Sequence, residues 1–305
     1  MSGARIQILL AAVLFGTTGT AQAVGPDLDP LVVGAARIVV GGALLGLVAV
    51  VLTATGRLRL HTGGGPRLVL LAGACVAVYQ ATFFVAVADT GVAVGTVVAI
   101  GSGPAFAGLF ACTLVGEPLT RRWAAATGLA CAGVVLLVLG GGAGGSVSAP
   151  GVGLALVSGA GYAGYAVASK RMLDGGGAPE AVMASVFGMG AVLMLPLLAI
   201  VPAGGLVTPA GLTFALYLGA VPTALAYVLF ARGLERTGAS ETATLTLAEP
   251  LTAAALGVIA LGERPGLAAA AGAALVMGGL AVLALRPATR TVGVVATPGC
   301  AKLPA

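Results

Sequence analysis

Ten apolar stretches of 17 to 25 residues limit what this chain can fold into more than any other feature of its sequence. A helix of about 20 apolar residues, rising roughly 1.5 Å per residue, crosses the hydrocarbon core of a bilayer, which is about 30 Å thick. We therefore predict an all-α, polytopic membrane protein with ten transmembrane helices, each of which satisfies its own backbone hydrogen bonds. The predicted spans run from Ile6 to Val24, Pro30 to Leu52, Arg67 to Ala86, Gly91 to Leu114, Trp123 to Leu139, Gly151 to Ser169, Glu180 to Val201, Ala210 to Leu234, Ala239 to Leu261 and Gly266 to Leu285.

The low charge content excludes other classes of protein. Only 25 of the 305 residues are charged and 59% are hydrophobic, whereas soluble domains have surfaces that are about a quarter or more charged. Disordered chains combine low hydrophobicity with high charge, which is the opposite of this composition, so a disordered chain is excluded as well. Nucleic-acid binding would need a basic face with aromatic residues, or a binding motif, and the sequence has neither, so we expect no nucleic-acid partner. The four cysteines form no CxxC pair and His61 is the single histidine, so we expect no metal and no other cofactor.

Basic residues concentrate in the connections on one side of the predicted membrane. If the N-terminus lies in the cytoplasm, 13 of the 15 lysines and arginines fall on the cytoplasmic side, whereas Arg264 lies outside and Arg37 lies within the second span. This bias follows the positive-inside rule. We therefore predict a multi-pass protein of the plasma membrane with both termini in the cytoplasm.

The N-terminal segment allows a second interpretation. Arg5, the apolar run that follows it and the tripeptide Ala21-Gln22-Ala23 together resemble a secretory signal with its cleavage site. Nine spans would then remain in the mature chain. We favour a membrane span, because an internal repeat uses this segment as the partner of the sixth span.

The two halves of the chain are related in sequence. Pro104 and Glu117 recur as Pro250 and Glu263, both at an offset of 146 residues. Each half holds five spans, an odd number, so the second half must enter the membrane with the opposite orientation. Inverted repeats of this kind are typical of transporters that alternate around a central site. We assign residues 6–140 to the first repeat, 141–150 to a glycine-rich linker, 151–285 to the second repeat and 286–305 to a cytoplasmic tail.

Short motifs follow one another in a fixed order along both halves. They are Phe15-Gly16, Arg37, Pro104 with Gly116-Glu117, Pro222-Thr223-Ala224 with Ala226-Tyr227, Glu249-Pro250 and Leu261-Gly262-Glu263. This set resembles the ten-helix group with two EamA repeats in the drug/metabolite transporter superfamily, although Phe15 stands where that family often has tryptophan. The resemblance implies secondary transport, usually export of amino acids, metabolites or drugs.

Polar side chains at helical spacing mark one face of several spans. Such groups are costly in hydrocarbon and normally face the bundle interior or a wet cavity, so their alignment on four helices predicts a substrate cavity. Alternatively, the hydroxyls bond their own helices and the tyrosines are interface anchors. The candidate cavity residues are Tyr79 and Gln80 in span three, Tyr162 and Tyr165 in span six, Thr223 and Tyr227 in span eight, and Thr246 in span nine.

Glu249 is the most informative single residue. It lies about ten residues into span nine, which places it roughly 15 Å deep, near the bilayer midplane. The carboxylate either binds a substrate ammonium group, carries a proton, or is a structural group held protonated or paired. Pro250 beside it and Pro104 at the corresponding point of span four loosen their helices, which predicts two hinges at the level of the binding site.

Two further kinds of charged group remain in or near the spans. Arg37 lies about 10 Å below the outer boundary of span two, where it is either a partner of Glu249 or a structural group that binds backbone carbonyls or snorkels. Glu117 and Glu263 precede spans five and ten, and we predict that they stabilise the N-termini of those helices.

The sequence as a whole predicts a transporter rather than an enzyme. No Walker A motif is present, so transport must run on a gradient of substrate or protons. We expect a small-molecule substrate and the lipid bilayer as partners, while the oligomeric state stays open. The alternatives are a lipid flippase of the same superfamily and an intramembrane enzyme, although no HExxH, paired-aspartate or GxSxG motif supports the latter.

Overall fold

The described part of the chain is built from helices. The computed structural model describes residues 3–139, 148–261 and 266–284, and within these ranges it contains no strand. Residues 141–147 of the predicted linker, Glu263 and the tail 286–305 lie outside the described residues. The helices are α1 (Gly3–Val24), α2 (Pro30–Ala54), α3 (Pro66–Val115), α4 (Arg121–Leu139), α5 (Ala149–Asp174), α6 (Pro179–Ile200), α7 (Pro209–Gly219), α8 (Ala226–Glu235), α9 (Ala239–Leu245), α10 (Ala248–Leu261) and α11 (Leu267–Ala284).

These helices have the length and composition of membrane spans. Eight segments within the described ranges are long and apolar enough to cross a bilayer, and they coincide with predicted spans one to four and six to nine. The helices α4 and α11 occupy predicted spans five and ten and pack against each other. Many large aliphatic side chains point outward, as a lipid-facing surface requires. The predicted all-α, polytopic class is confirmed.

The helix α3 contains two spans that fold back on each other. Its 50 residues would extend about 75 Å if they were straight, yet both arms, Pro66–Ala86 and Val98–Val115, contact the same turn of α5. A side chain added at Gly161 would make tight contacts of 3.0–3.2 Å with the first arm, and one added at Gly159 would collide with the second. The chain therefore reverses between the arms, and glycines let α5 approach both of them closely.

The packing of the two halves is pseudo-symmetric. The helix α5, which is span six, packs against both arms of α3, which are spans three and four. The helix α1, which is span one and the repeat partner of α5, packs against α8 and α10. These two helices belong to spans eight and nine, the repeat partners of spans three and four. The repeat partners α2 and α6 pack against each other, and so do the repeat partners α4 and α11. The candidate site therefore lies where the two halves meet.

The ninth span is broken at its centre. The helix α9 ends at Leu245 and α10 begins at Ala248. A helical proline collides with the carbonyl group four residues earlier, and for Pro250 that group belongs to Thr246, which lies in the break. The freed Thr246 carbonyl instead accepts a hydrogen bond from the backbone N–H of Glu249 at 2.9 Å. Pro104 frees the corresponding carbonyl of Ile100, but α3 stays helical there.

The eighth span also departs from a regular helix. The segment Ala220–Leu225 between α7 and α8 forms a π-helical turn. The Thr223 hydroxyl donates a 2.7 Å hydrogen bond to the carbonyl of Leu218, five residues earlier. Pro222, within this turn, has no backbone N–H to donate, so the irregular turn and the Thr223 hydroxyl together re-satisfy the local backbone.

The connections that carry most of the basic residues meet on one face of the molecule. The backbone N–H of Ala178 donates to the carbonyl of His61 at 3.1 Å, which joins the α2–α3 and α5–α6 connections. The Lys170 ammonium group donates to the carbonyl of Glu235 at 3.2 Å, which joins the C-terminal ends of α5 and α8. Arg5, near the N-terminus, reaches Glu241 on α9. We refer to this surface as the basic face.

Candidate substrate cavity

A small cavity lies between both arms of α3, α5 and the break in span nine. Its volume is about 20 Å³, which is room for about one water molecule. Pockets for small metabolites are much larger, at about 300 Å³ or more, so a metabolite does not fit this cavity in the present conformation. The lining residues are Tyr79, Ala99, Ile100, Tyr162, Ala243, Thr246, Leu247 and Glu249.

A hydrogen bond ties α5 to the break in span nine. The hydroxyl oxygens of Tyr162 and Thr246 are 2.8 Å apart. Because the single Thr246 hydroxyl proton is donated to the carbonyl of Ala243 at 2.8 Å, Tyr162 is the donor to Thr246. Two of the predicted cavity residues are thus joined directly, and any movement of the break changes the environment of the Tyr162 hydroxyl.

Aromatic rings continue from the cavity into the core. The ring of Tyr162 contacts Tyr79 with centroids 5.9 Å apart and Tyr165 with centroids 5.3 Å apart. Tyr165 then contacts Tyr227 at 6.1 Å, and Tyr227 packs on Phe187 at 4.0 Å. Tyr165 and Tyr227 are buried behind Tyr162 rather than lining the cavity in this conformation. They would reach a substrate only if the cavity widened towards the core.

Glu249 lies in the first turn of α10, on the cavity wall. A carboxylate is stabilised there by the positive end of the helix dipole, which explains how the span tolerates it. The helix α1 approaches at the same level, because a side chain at Gly16 would collide with the carbonyl of Glu249 and with Thr252. Among the described residues, no ion-pair partner lies within 4.0 Å of Glu249.

The other candidate residues lie around this cavity or behind it. Arg37 on α2 is buried, forms no ion pair with Glu249 among the described residues, and is not one of the residues that line the cavity. Gln80 is buried beside Tyr79. Thr223 does not line the cavity: its hydroxyl is bound to its own helix and its methyl group packs where a side chain at Gly41 would lie.

A group of contacts on the basic face, which the sequence did not reveal, holds α9 in place. The carboxylate of Glu117 accepts hydrogen bonds from the backbone N–H of Ala239, at 2.8 Å, and from the hydroxyl of Ser240. The indole N–H of Trp123 donates to the carbonyl of Ser240 at 3.0 Å. Arg5 pairs with Glu241 at 2.7 Å. We call Glu117, Trp123 and Arg5, with their partners on α9, the α9 clamp.

Glu117 was expected to stabilise the helix that follows it, and the structure corrects this expectation. The helix α4 begins only at Arg121, and its first turn is capped by Thr120, whose hydroxyl accepts from the backbone N–H of Trp123 at 3.0 Å. Glu117 instead caps α9, which is distant in sequence. A local sequence pattern cannot distinguish these two helix N-termini, because both offer unpaired N–H groups.

Comparison with known proteins identifies the family. The family model described as "EamA-like transporter family" matches residues 3–139 and again residues 149–285. The chain belongs to the EamA-like transporter family. Each matched segment corresponds to one five-helix half of the fold, so the resemblance predicted from the motifs is confirmed.

Two relatives of this EamA-like transporter support the assignment. The "Uncharacterized transporter YwfM" of Bacillus subtilis (strain 168) is 42% identical over 281 residues, which cover 92% of this chain and 93% of that protein. A solved structure described only as "Crystal structure of protein" is 26% identical and superposes with a TM-score of 0.80 over 93% of this chain and 97% of its own. The chain is therefore a multi-pass membrane transporter.

Proposed function

We propose that this EamA-like transporter is a secondary transporter of the plasma membrane that exports a small, amine-bearing metabolite by alternating access around Glu249. The observation that carries the proposal is a carboxylate without an ion-pair partner among the described residues, set in an aromatic cavity at the break of a membrane span. Carboxylates and aromatic faces both attract ammonium groups. A charge at this depth is costly to keep and marks a functional site.

The break in span nine supplies a means of opening the cavity. The helix α9 has only seven residues and is joined to α10 through Thr246 and Leu247, which are not helical. Release of the α9 clamp would let α9 swing about this joint and expose Ala243 and Thr246 of the cavity wall. We assign the basic face to the cytoplasm on the positive-inside rule. Opening at α9 would then admit substrate from the cytoplasm.

Closure and widening of the cavity follow from the same geometry. With the clamp in place, the cavity holds about 20 Å³, so a substrate must displace its walls. The break beside Pro250 and the freed carbonyl beside Pro104 are the places where the walls can bend with the least loss of backbone hydrogen bonds. Substrate binding would therefore couple to hinge movement, as alternating access requires.

The first experiment compares metabolites in cells and medium between a deletion strain and a strain that overexpresses the transporter. Compounds that accumulate in the medium only on overexpression would be the exported substrates. An overexpressing strain with an unchanged medium, together with no uptake or exchange of any cellular metabolite in proteoliposomes, would contradict the proposed function.

The second experiment tests Glu249 in proteoliposomes with a compound found in this way. Glu249→Gln keeps the shape and hydrogen bonding but cannot carry a charge. If Glu249 binds the substrate ammonium group, both gradient-driven transport and substrate exchange should fall together. If it carries a coupling proton, exchange should persist while pH-gradient-driven transport is lost, and the ammonium role would be refuted.

The matched control for this variant is Glu180→Gln. Glu180 pairs with Arg232 on the basic face at 2.6 Å, away from the cavity, so the same chemical change there should leave transport unaltered. Full gradient-driven transport by Glu249→Gln would remove both roles and leave the carboxylate structural.

A further inference from the structure

Ion pairing divides the basic residues of the basic face into two groups. One group pairs with carboxylates within 4.0 Å: Arg5 with Glu241, Lys170 with Asp174, Arg232 with Glu180 and Arg236 with Glu235. The other group is exposed and has no carboxylate within that distance among the described residues; it includes Arg57, Arg59, Arg67 and Arg171. The two groups therefore differ in the negative charge that the described residues offer them.

Arg67 and Arg171 lie side by side at the ends of two packed helices. A Cβ atom added at Gly164 of α5 would lie 2.8 Å from the sulfur of Cys75 on α3, so the helices touch there. Because α3 begins at the basic face and α5 ends there, seven residues back along α3 and seven residues on along α5 both lead about 10.5 Å towards that face. These steps reach Leu68, the neighbour of Arg67, and Arg171. Two turns of helix also keep both positions on the contacting faces.

The α2–α3 connection is held against the same helix ends. A Cβ atom added at Gly64 would lie 3.0 Å from the side chains of both Leu68 and Met172, the residues that follow Arg67 and Arg171. The carbonyl of His61 accepts from the backbone of the α5–α6 connection at 3.1 Å. Arg59 and Arg57 precede His61 by two and four residues, which limits their backbone to about 7 and 14 Å from this joint.

Exposed leucines accompany these arginines. Within the α2–α3 connection, Leu60 follows Arg59 and is 60% exposed. On α3, Leu70 and Leu71 lie one turn deeper in the span than Arg67 and are 51% and 57% exposed. Positive charge at the level of the lipid headgroups is thus continuous with apolar surface at the level of the acyl chains. A ligand that fits both parts is anionic at one end and hydrocarbon at the other.

We propose that these arginines bind the phosphate headgroup of an anionic phospholipid whose acyl chains lie along Leu70 and Leu71. A guanidinium group presents a planar fork of donors that matches phosphate oxygens, and basic residues beside a membrane span attract anionic lipid. The site consists of Arg57, Arg59, Arg67 and Arg171. It lies apart from the substrate cavity and does not depend on the identity of the transported compound. A bound lipid links the ends of α3 and α5 with the α2–α3 connection.

Titration of the purified transporter in detergent with phosphatidylglycerol, followed by native mass spectrometry, tests the proposal. Arg67→Gln combined with Arg171→Gln should weaken binding about 25-fold, because each basic group near an anionic lipid surface contributes about fivefold. The matched control combines Arg232→Gln with Arg236→Gln, which removes the same charge from the same face at residues that already have carboxylate partners. It should change the affinity less than about twofold at physiological salt, where charges more than about 8 Å apart are screened. Phosphatidylcholine, which has no net charge, should bind the wild type much more weakly.

A second pair of substitutions keeps the test decisive if the first pair fails to fold. Arg57→Gln combined with Arg59→Gln changes only the exposed connection and should weaken phosphatidylglycerol binding by a similar factor. Unfolding temperatures measured without added lipid show which variants are folded. Equal weakening by the control pair would overturn the proposal in favour of a general effect of charge, and unchanged binding in the folded site variants would overturn it outright. Displacement of the lipid by millimolar inorganic phosphate would show a site for a free anion and would also overturn it.

Discussion

The α9 clamp predicts that a single uncharged substitution opens the transporter towards the basic face. Glu117→Gln keeps the size of the side chain and one acceptor oxygen but removes the negative charge. Glu117 holds two donors at the first turn of α9, the backbone N–H of Ala239 and the hydroxyl of Ser240. Both hydrogen bonds lose their charge assistance, and the helix N-terminus loses a favourable charge.

The size of the effect follows from these contacts. Hydrogen bonds to charged groups contribute about 1.5–3 kcal/mol, neutral ones about 1 kcal/mol, and a charge at a helix N-terminus about 0.3–1 kcal/mol. Because both hydrogen bonds are only partly buried, solvent screening keeps the loss near the lower end of this sum. The substitution should therefore weaken the closed state by about 1–2 kcal/mol, which is a factor of about 5–30 in its population relative to the open state. The remaining contacts of the clamp, from Trp123 and Arg5, are unchanged.

Cysteine accessibility measures this shift. Ala243 is a residue of α9 that lines the cavity, and it is small enough to be replaced by cysteine. In a background without the four native cysteines, Ala243→Cys should react with a membrane-impermeant maleimide from the basic face about 5–30 times faster when Glu117→Gln is present. Trp123 is the only tryptophan of the chain, so its fluorescence reports the same movement independently.

Glu180→Gln is the matched control, because it removes a carboxylate from the same face without touching α9. The reasoning would be refuted by a reaction rate that Glu117→Gln leaves unchanged, or by an equal acceleration with Glu180→Gln. The second outcome would show that the charge of the face, rather than the cap on α9, controls access.

Three other measurements test separate parts of the structure. Tyr162→Phe removes the donor that ties α5 to the break and should lower the unfolding temperature of the purified protein by about 2 °C; an unchanged temperature would mean that the contact contributes nothing. Pro104→Ala and Pro250→Ala should slow substrate exchange in proteoliposomes while expression is retained, and wild-type exchange by the double variant would exclude the hinge role. A reporter fused after Ser148 should read outside and one after Gly175 inside, whereas a cytoplasmic signal at the former would contradict the inverted topology.

The spans and the repeat could be predicted from the sequence because each depends on local patterns. Hydrophobic length identifies a span whatever its neighbours are. Pro104 and Pro250 locate the weak points because a proline acts on its own helix. The sequence did not distinguish their outcomes, however: α3 stays helical through Pro104, whereas span nine is broken before Pro250. Tertiary contacts decide whether a loosened turn stays helical.

The parts that the sequence left open all depend on distant contacts. Thr223 fits a polar stripe equally well as a cavity residue or as a group bound to its own helix, and only the π-helical turn shows which bond it makes here. Glu117 could cap either of two helices. The partners of Arg37 and Glu249 could not be predicted either, since burial and pairing are properties of the folded state.

The doubled-back helix α3 bears on how the protein enters the membrane. Between Arg67 and Arg121 the chain contains no lysine or arginine. Arg67 is the second residue of the first arm of α3, and Arg121 follows the end of the second arm. Basic residues anchor spans on the cytoplasmic side, so the first arm has an anchor only at its start and the second only beyond its end. We expect the two arms to leave the translocon together as one helical hairpin, with the tip near Asp89 carried across last. A nascent chain that ends between the arms would then lack the second anchor that fixes its orientation.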